Sequence, residues 1–315
     1  MRVVSLLASG TELVCALGAG DTLVGRSHEC DTPDWVKRLP VCSAPAFDIS
    51  GSSRDIDERV RRRMRAGEPL YLVDDALIER LAPDVLITQS HCEVCAVSPA
   101  DIGRGTPGTL VRRQVADLRA SSLEDILGNA REVARVLHRS AEGEALVSQL
   151  RARIRAVSER TRELKPVSAV GLEWIEPLFN MGNWGPELVA LAGGRALLGA
   201  AGEFSTSIEW QRVREADPEV LLIAPCGFPL ERTLREMHLL DAQPGWGNLR
   251  AVSCGRVIVA DGNRYFNRSG PSGVRAIEML AEILHPSKFA PLHEGTCWRK
   301  YSFRAQMTHS SSRQT

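Results

Sequence analysis

The sequence has no apolar run approaching the roughly 18–20 residues of a membrane-spanning helix, so an integral membrane protein is not expected. It has no surplus of either charge, since Lys+Arg and Asp+Glu both number 39. The basic excess that draws a protein to nucleic acid is therefore missing, and no nucleic-acid partner is expected. Enzyme signatures are missing too. There is no Gly-x-Ser-x-Gly elbow, no Walker phosphate loop, no Gly-x-Gly-x-x-Gly after the first strand and no carboxylate pair at hydrolase spacing. A non-enzymatic protein is the expectation.

The first residues, Met1-Arg2-Val3-Val4-Ser5-Leu6-Leu7, hold an apolar run of strand length, shorter than the ~7–15 residues at the heart of a secretory signal. The chain is therefore expected in the cytoplasm, or outside it if the true start lies further upstream. The eight cysteines, at 15, 30, 42, 92, 95, 226, 254 and 297, are too sparse for a disulfide framework, and a reducing compartment would keep them as thiols. Aromatic residues are only 5% of the chain, and Trp174, Trp184, Trp210 and Trp246 all lie in its second half.

What is present is a repeated plan. At 315 residues the chain suits two domains better than one. A strand at 2–7 leads into Gly10-Thr11-Glu12-Leu13-Val14-Cys15-Ala16-Leu17-Gly18. A strand at 167–172 is followed by Gly185-Pro186-Glu187-Leu188-Val189-Ala190-Leu191-Ala192-Gly193. Likewise Leu81-Ala82-Pro83-Asp84-Val85-Leu86-Ile87 returns as Ala216-Asp217-Pro218-Glu219-Val220-Leu221-Leu222. Strands alternating with helices imply parallel sheets covered on both faces. The predicted fold is α/β, with two Rossmann-like lobes bridged by a long helix. The expected divisions are lobe one at 1–121, a bridging helix at 122–165 broken near Gly143, lobe two at 166–289, and a partly disordered tail at 290–315. Trp210 and Trp246 are expected in packing, and a monomer is expected.

In open α/β sheets ligands bind beyond the carboxyl ends of the strands. Here those loops carry His28, Glu29 and Cys30; Gln89, His91, Cys92 and Cys95; Trp174, Asn183 and Trp184; Cys226 and Phe228; and Asn263, Tyr265, Phe266, Asn267 and Arg268. Aromatic faces beside amide and guanidinium donors suit a large planar ligand decorated with amides. Cys92-Glu93-Val94-Cys95 reads as a buried thiol pair, as zinc or iron–sulfur ligands joined through the fold by Cys30 and Cys226, or as a dithiol. His28 and His91, each beside a cysteine, read as spacers or as ligands. Glu12 and Glu187 occupy matching helix starts, where the helix dipole favours a carboxylate.

Taken together, the opening Val4-Ser5-Leu6-Leu7-Ala8-Ser9-Gly10-Thr11-Glu12, the two Pro-Asp/Asp-Pro strand entries, the helical bridge, Pro244-Gly245-Trp246 and Gly255-Arg256-Val257 resemble the helical-backbone class (class III) of ABC-transporter substrate-binding proteins. The likeness is to the vitamin B12-binding branch, over roughly 2–289, with Ala8 where the family usually has Pro. It extends to a cysteine-containing subgroup, labelled cobalamin-binding, that carries the His28-Glu29-Cys30, 92–95 and 263–268 segments. The resemblance implies a periplasmic-binding-protein fold, a cobalamin or related corrinoid held between the lobes, and, if the chain is exported, an ABC permease on which Glu12 and Glu187 would dock. The rival expectation is a cytoplasmic metal or iron–sulfur protein, or an enzyme, built on Cys30, Cys92, Cys95 or Cys226 with His28 or His91. A duplicated scaffold with no small ligand is a third.

Overall fold

A computed structural model of the protein describes residues 1–104 and 113–302. Lobe one contains β1 (Val3–Ser5), α1 (Ala8–Ala16), β2 (Leu23–Arg26), β3 (Ser43–Pro45), α2 (Ser53–Ala66), β4 (Tyr71–Val73), α3 (Asp75–Leu81), β5 (Val85–Gln89) and β6 (Gln114–Leu118). Its main sheet is four-stranded and parallel, in the order β2-β1-β5-β6, and β3 and β4 form a separate antiparallel ribbon. Val3, Val4 and Ser5 pair with Val85, Leu86 and Ile87, and every residue of both strands is buried. An unbroken apolar strand, rather than an alternating one, is what two covered faces require.

The chain then crosses on α4 (Leu123–Val136) and α5 (Ser140–Thr161). The break between them falls at His138, whose φ is +55°, and not at Gly143 as the sequence suggested. Gly143 lies inside α5 where it crosses α4, and a Cβ there would sit 2.5 Å from the Cβ of Ala134. Its glycine serves close packing, so the interruption seen in the sequence marks a contact rather than an end. With 22 residues and a rise of about 1.5 Å each, α5 is a rod ~33 Å long.

Lobe two contains β7 (Val167–Trp174), β8 (Phe179–Asn180), α6 (Gly185–Leu191), β9 (Gly194–Ala196), α7 (Trp210–Ala216), β10 (Val220–Ile223), α8 (Leu230–Asp241), α9 (Arg250–Ser253), β11 (Val257–Ala260), α10 (Pro271–Leu284) and β12 (Trp298–Tyr301). Its six-stranded sheet runs β12-β11-β10-β7-β8, with β9 parallel to β7. Strand β12 pairs antiparallel with β11 and buries Trp298, so lobe two extends past the expected end at 289. Residues 303–315, most of the remaining tail, lie outside the described residues.

The repeat reaches down to individual bonds. Ala82 and Asp217 end α3 and α7 in the left-handed region, at φ +43° and +37°, each just before a proline. In each lobe the following acid accepts a backbone N–H at the start of the lobe's first strand: Asp84 from Arg2 at 2.8 Å, Glu219 from Ser168 at 2.9 Å.

The cores are divided unequally. One cluster fills the outer face of the lobe-two sheet and includes Trp210 and Trp246, whose rings stack at 5.8 Å. Another, with Val4, Leu6, Ile78 and Leu86, fills the outer face of the lobe-one sheet. The largest belongs to both lobes. It joins Leu13 and Val14 of α1, Ile126 and Val133 of α4, Leu146 and Leu150 of α5, Leu188 of α6, and Val274, Ile277 and Leu280 of α10. Each such side chain, fully buried, contributes about 1.5–3 kcal/mol. The lobes are therefore fused along one side through this shared core.

Candidate functional site

The loops after β2, β7, β10 and β11 converge between the lobes, as the open-sheet rule requires. On the lobe-one side stand His28, Glu29 and Asp31, with Tyr71 arriving from β4. On the lobe-two side stand Glu173 and Trp174 at the end of β7, Cys226 after β10, and Asn263 and Arg268 after β11. Protein surrounds the Glu29 carboxyl on nearly every side, yet 34% of its side chain stays open. Glu29 thus stands among the residues of both lobes, near Arg268 and Asp31. Cys226 is likewise half-open and enclosed, and it feels the charges of both Glu173 and Glu29.

Enclosure sets the protonation of this lining. Burial pushes Glu29 up to about 7, with Arg268 only partly opposing it. Burial also raises Glu173 to about 7, against hydrogen bonds from Ser205 and the Gly182 N–H. The Cys226 thiol rises to about 12, through burial and the two neighbouring carboxyls. His28 falls to about 4, through burial and the positive charge of Arg26, so its imidazole is neutral, with Nδ1 3.1 Å from the Ser43 hydroxyl. At neutral pH the recess is lined by a thiol, a neutral imidazole and two carboxyls close to half-protonation.

Arg268 forms the floor. It is 5% exposed, and its Nη1 lies 2.8 Å from both Glu12 Oε1 and Asp31 Oδ1. Burial alone would raise Asp31, but the Arg268 hydrogen bond and charge more than reverse this and hold it low. Asn263 donates to the other Asp31 oxygen at 3.2 Å. Arg268 Nη2 and Trp174 Nε1 are buried donors without a hydrogen-bond partner.

Other predicted residues do different work. Phe228 lies behind Trp174, with ring centroids 5.0 Å apart, and is fully buried. Tyr265, Phe266 and Trp184 belong to the shared core, and the Trp184 indole donates to the Phe266 carbonyl. Asn267 spends its amide on the carbonyls of Ala224 and Gly262, bracing the loop that carries Arg268. These five, expected as ligand contacts, are instead committed to packing and loop bracing in this structure. Gln89 accepts from the Cys92 N–H and donates to the Cys92 and Ala96 carbonyls, fixing the loop after β5. His91 reaches across the rim to Asn183, 3.1 Å from its Oδ1, and stacks on Phe204 at 4.8 Å.

The metal reading does not match the geometry. Cys92 and Cys95 are joined to each other in a disulfide, which also corrects the expectation that all cysteines stay reduced. Cys30 faces the core of lobe one, taking a hydrogen bond from Thr11 at 2.9 Å. Among the described residues no group of three or more His, Cys, Asp or Glu is arranged to hold a metal ion. Of the two carboxylates expected to dock on a permease, Glu12 lacks the exposure that role needs, and Glu187 is partly buried. Glu12 is buried, paired with Arg268, and accepts the Ser272 N–H at the start of α10. Glu187 accepts the Leu123 N–H at the start of α4. Each carboxylate caps a helix on another element; Glu187 is in the first turn of α6 as expected, whereas Glu12 lies past the first turn of α1.

Sequence reasoning passed over Tyr71, Asp31 and Glu173 as site residues. The last two stand beside residues that it chose. Tyr71 comes from a short ribbon strand with nothing unusual in its composition.

Two sheets whose strand-end loops meet between lobes joined by a shared helical core are the arrangement of a two-lobed binding protein. Residues 73–263 match the periplasmic binding protein family, and the chain belongs to that family. It is accordingly a non-enzymatic substrate-binding protein of the ABC-transporter type. Solved structures agree in fold. A periplasmic heme-binding protein from Pseudomonas aeruginosa is 22% identical with a TM-score of 0.71, covering 96% of this chain and 99% of that one. An ABC transporter substrate-binding protein from Listeria monocytogenes EGD-e is 18% identical, with a TM-score of 0.68 and coverage of 90% and 98%. The periplasmic vitamin B12 binding protein BtuF of Vibrio cholerae is 18% identical, with a TM-score of 0.64 and coverage of 91% and 97%. No curated protein matches the sequence. The family overturns the cytoplasmic expectation, because its members are periplasmic binding proteins. Among the described residues no helix is long and apolar enough to cross a membrane.

Proposed function

We propose that the recess receives a corrinoid and that the protein passes it to an ABC permease. The observation that carries this reading is the charge and protonation of the lining. Arg268 is the buried cation of the floor, and Glu12 and Asp31 already outnumber it. Glu29 and Glu173 add acidity rather than relieve it. A haem would bring two carboxylates to a site whose buried cation, Arg268, is already paired with Glu12 and Asp31. A corrinoid brings neutral amides. Carboxyls that retain a proton near pH 7 can donate to amide carbonyls and accept from amide N–H groups. The unpartnered Arg268 Nη2 and Trp174 Nε1 supply two further donors, and a buried donor left without a partner costs about 1–3 kcal/mol that a ligand carbonyl would return. Trp174 adds an aromatic face. His28, Glu29, Tyr71, Glu173, Trp174, Cys226 and Arg268 are the residues on which the ligand would rest.

Titration with cyanocobalamin, followed by absorbance and calorimetry, tests this, with hemin alongside. Saturable binding of cyanocobalamin in preference to hemin is expected. No heat or spectral change at high micromolar cyanocobalamin, or tighter binding of hemin, would overturn it.

A further inference from the structure

The open side of the cleft is tied across by residues that line no part of the recess. Arg232 of α8 lies over the Phe228 ring at 3.9 Å and donates from Nη2 to the Gly51 carbonyl of lobe one at 3.0 Å. Its Nη1 approaches the Ile49 carbonyl at 3.4 Å. Glu236, on the same helix face one turn later, is 8% exposed and accepts the Ser53 N–H at 2.9 and 3.2 Å. Ser53 is the first residue of α2, so a lobe-two carboxylate satisfies a free donor at the end of a lobe-one helix. Arg54 beside it pairs with Glu176 of lobe two.

These bonds are not what joins the lobes. The shared core does that through α1, α4, α5, α6 and α10, whereas the bonds described here use α2 and α8 on the opposite side. They are made of a few polar contacts, the kind of interaction that can open locally while the core stays packed. They also touch the recess. Trp174, a lining residue, packs on Phe228, and Phe228 carries Arg232, so packing runs unbroken from the ligand wall to the carbonyl of Gly51.

We propose that Arg232 and Glu236 form a clasp that holds the cleft closed and sets how long a bound ligand stays. This rests on the reading of the cleft as the ligand site. The clasp residues position the lobes and do not touch the ligand. Their loss should raise the dissociation rate and leave the association rate nearly unchanged.

The test has a ligand-free arm and a ligand arm, with three variants. The first is Arg232→Ala with Glu236→Ala. The second is Ser53→Pro, which deletes the donor N–H at a helix position that favours proline. Ser52, at φ −78° and ψ 168°, already has the extended backbone that a following proline demands. The third is Arg232→Lys, which can still donate to Gly51. In the ligand-free protein, hydrogen exchange over residues 49–56 should quicken about tenfold or more in the first two variants, with α5 and both sheets unchanged. With cyanocobalamin as probe, dissociation should quicken by about tenfold and association change by less than about threefold. Arg232→Lys should return both toward the wild type. Wild-type exchange over 49–56 in the first two variants overturns the clasp, and so does faster exchange with unchanged dissociation. If the alanine pair does not fold, Ser53→Pro decides. If cyanocobalamin fails to bind the wild-type protein, the corrinoid reading falls, and the exchange arm alone still decides the clasp.

Discussion

Replacing Arg268 with Met probes how the two lobes are locked at their floor. The guanidinium lies 2.8 Å from Glu12 and from Asp31, but the two carboxylates would respond differently to its loss. Asp31, at 32% side-chain exposure, can turn to water, while Glu12, at 5%, cannot. Breaking a buried pair from one side costs about 3–5 kcal/mol, because the remaining charge stays buried without a partner. Glu12 keeps the Ser272 N–H at the start of α10, and a helix N-terminus offsets about 0.3–1 kcal/mol of that cost. A loss of about 3 kcal/mol is therefore expected, two powers of ten in the folding equilibrium. Urea unfolding, followed by tryptophan fluorescence and circular dichroism, would read it as a lower midpoint with an unchanged slope. Adding Glu12→Gln removes the stranded charge and should recover part of the loss, so the two substitutions should be strongly non-additive. A loss below about 1 kcal/mol, the range of exposed ion pairs, or simple additivity would refute the reasoning.

Other outcomes follow from the same geometry. Glu29 and Glu173 titrate near 7 in the folded protein against an ordinary 4.5, so their stabilisation is complete below pH 4.5 and is lost as pH rises through 7. His28, lowered from 6.5 to about 4, acts oppositely and only below pH 6.5, so thermal stability should fall between pH 6.5 and 8. Glu29→Gln with Glu173→Gln should flatten that slope, and an unchanged slope would refute the assignment. Cyanocobalamin affinity should weaken over the same range as the carboxyls lose their donor protons. Gly143→Ala would gain about 1 kcal/mol in a free helix, but here its Cβ meets Ala134 at 2.5 Å. A net loss of about 1–3 kcal/mol, read by urea unfolding, is expected. Reduction of the Cys92–Cys95 disulfide, which closes a very short loop, should cost only about 2 kcal/mol. Hydrogen exchange should then quicken in the loop after β5 and leave the sheets unchanged.

The sheets were readable because β10 and β11 are apolar throughout and β1 and β5 open on unbroken apolar runs, Val3-Val4 and Val85-Leu86-Ile87. The duplication was readable because matched residues serve the same bonds, as the pairs Ala82 and Asp217, Asp84 and Glu219 demonstrate. Loop chemistry told which strand ends face the cleft, but not which way each side chain points. Between Asn263 and Arg268 a single π-helical turn sends Tyr265 and Phe266 into the core and leaves Arg268 between the lobes, and no periodicity announces that turn. Glu12 and Glu187 looked like surface carboxylates because a helix start usually is one. Their hydrogen bonds to other helices depend on α10 and α4 arriving from elsewhere in the chain. Arg232 and Glu236 sit on an ordinary amphipathic helix, and only the approach of the other lobe gives them a role.

Fusion along one flank has a consequence for the ancestry written in the repeat. Leu13 and Val14 face Val274 and Ile277, so either half produced by itself would present a bare greasy stripe to water. The intact chain should melt as one unit, and a cut between α4 and α5 should yield fragments that regain their structure only when mixed.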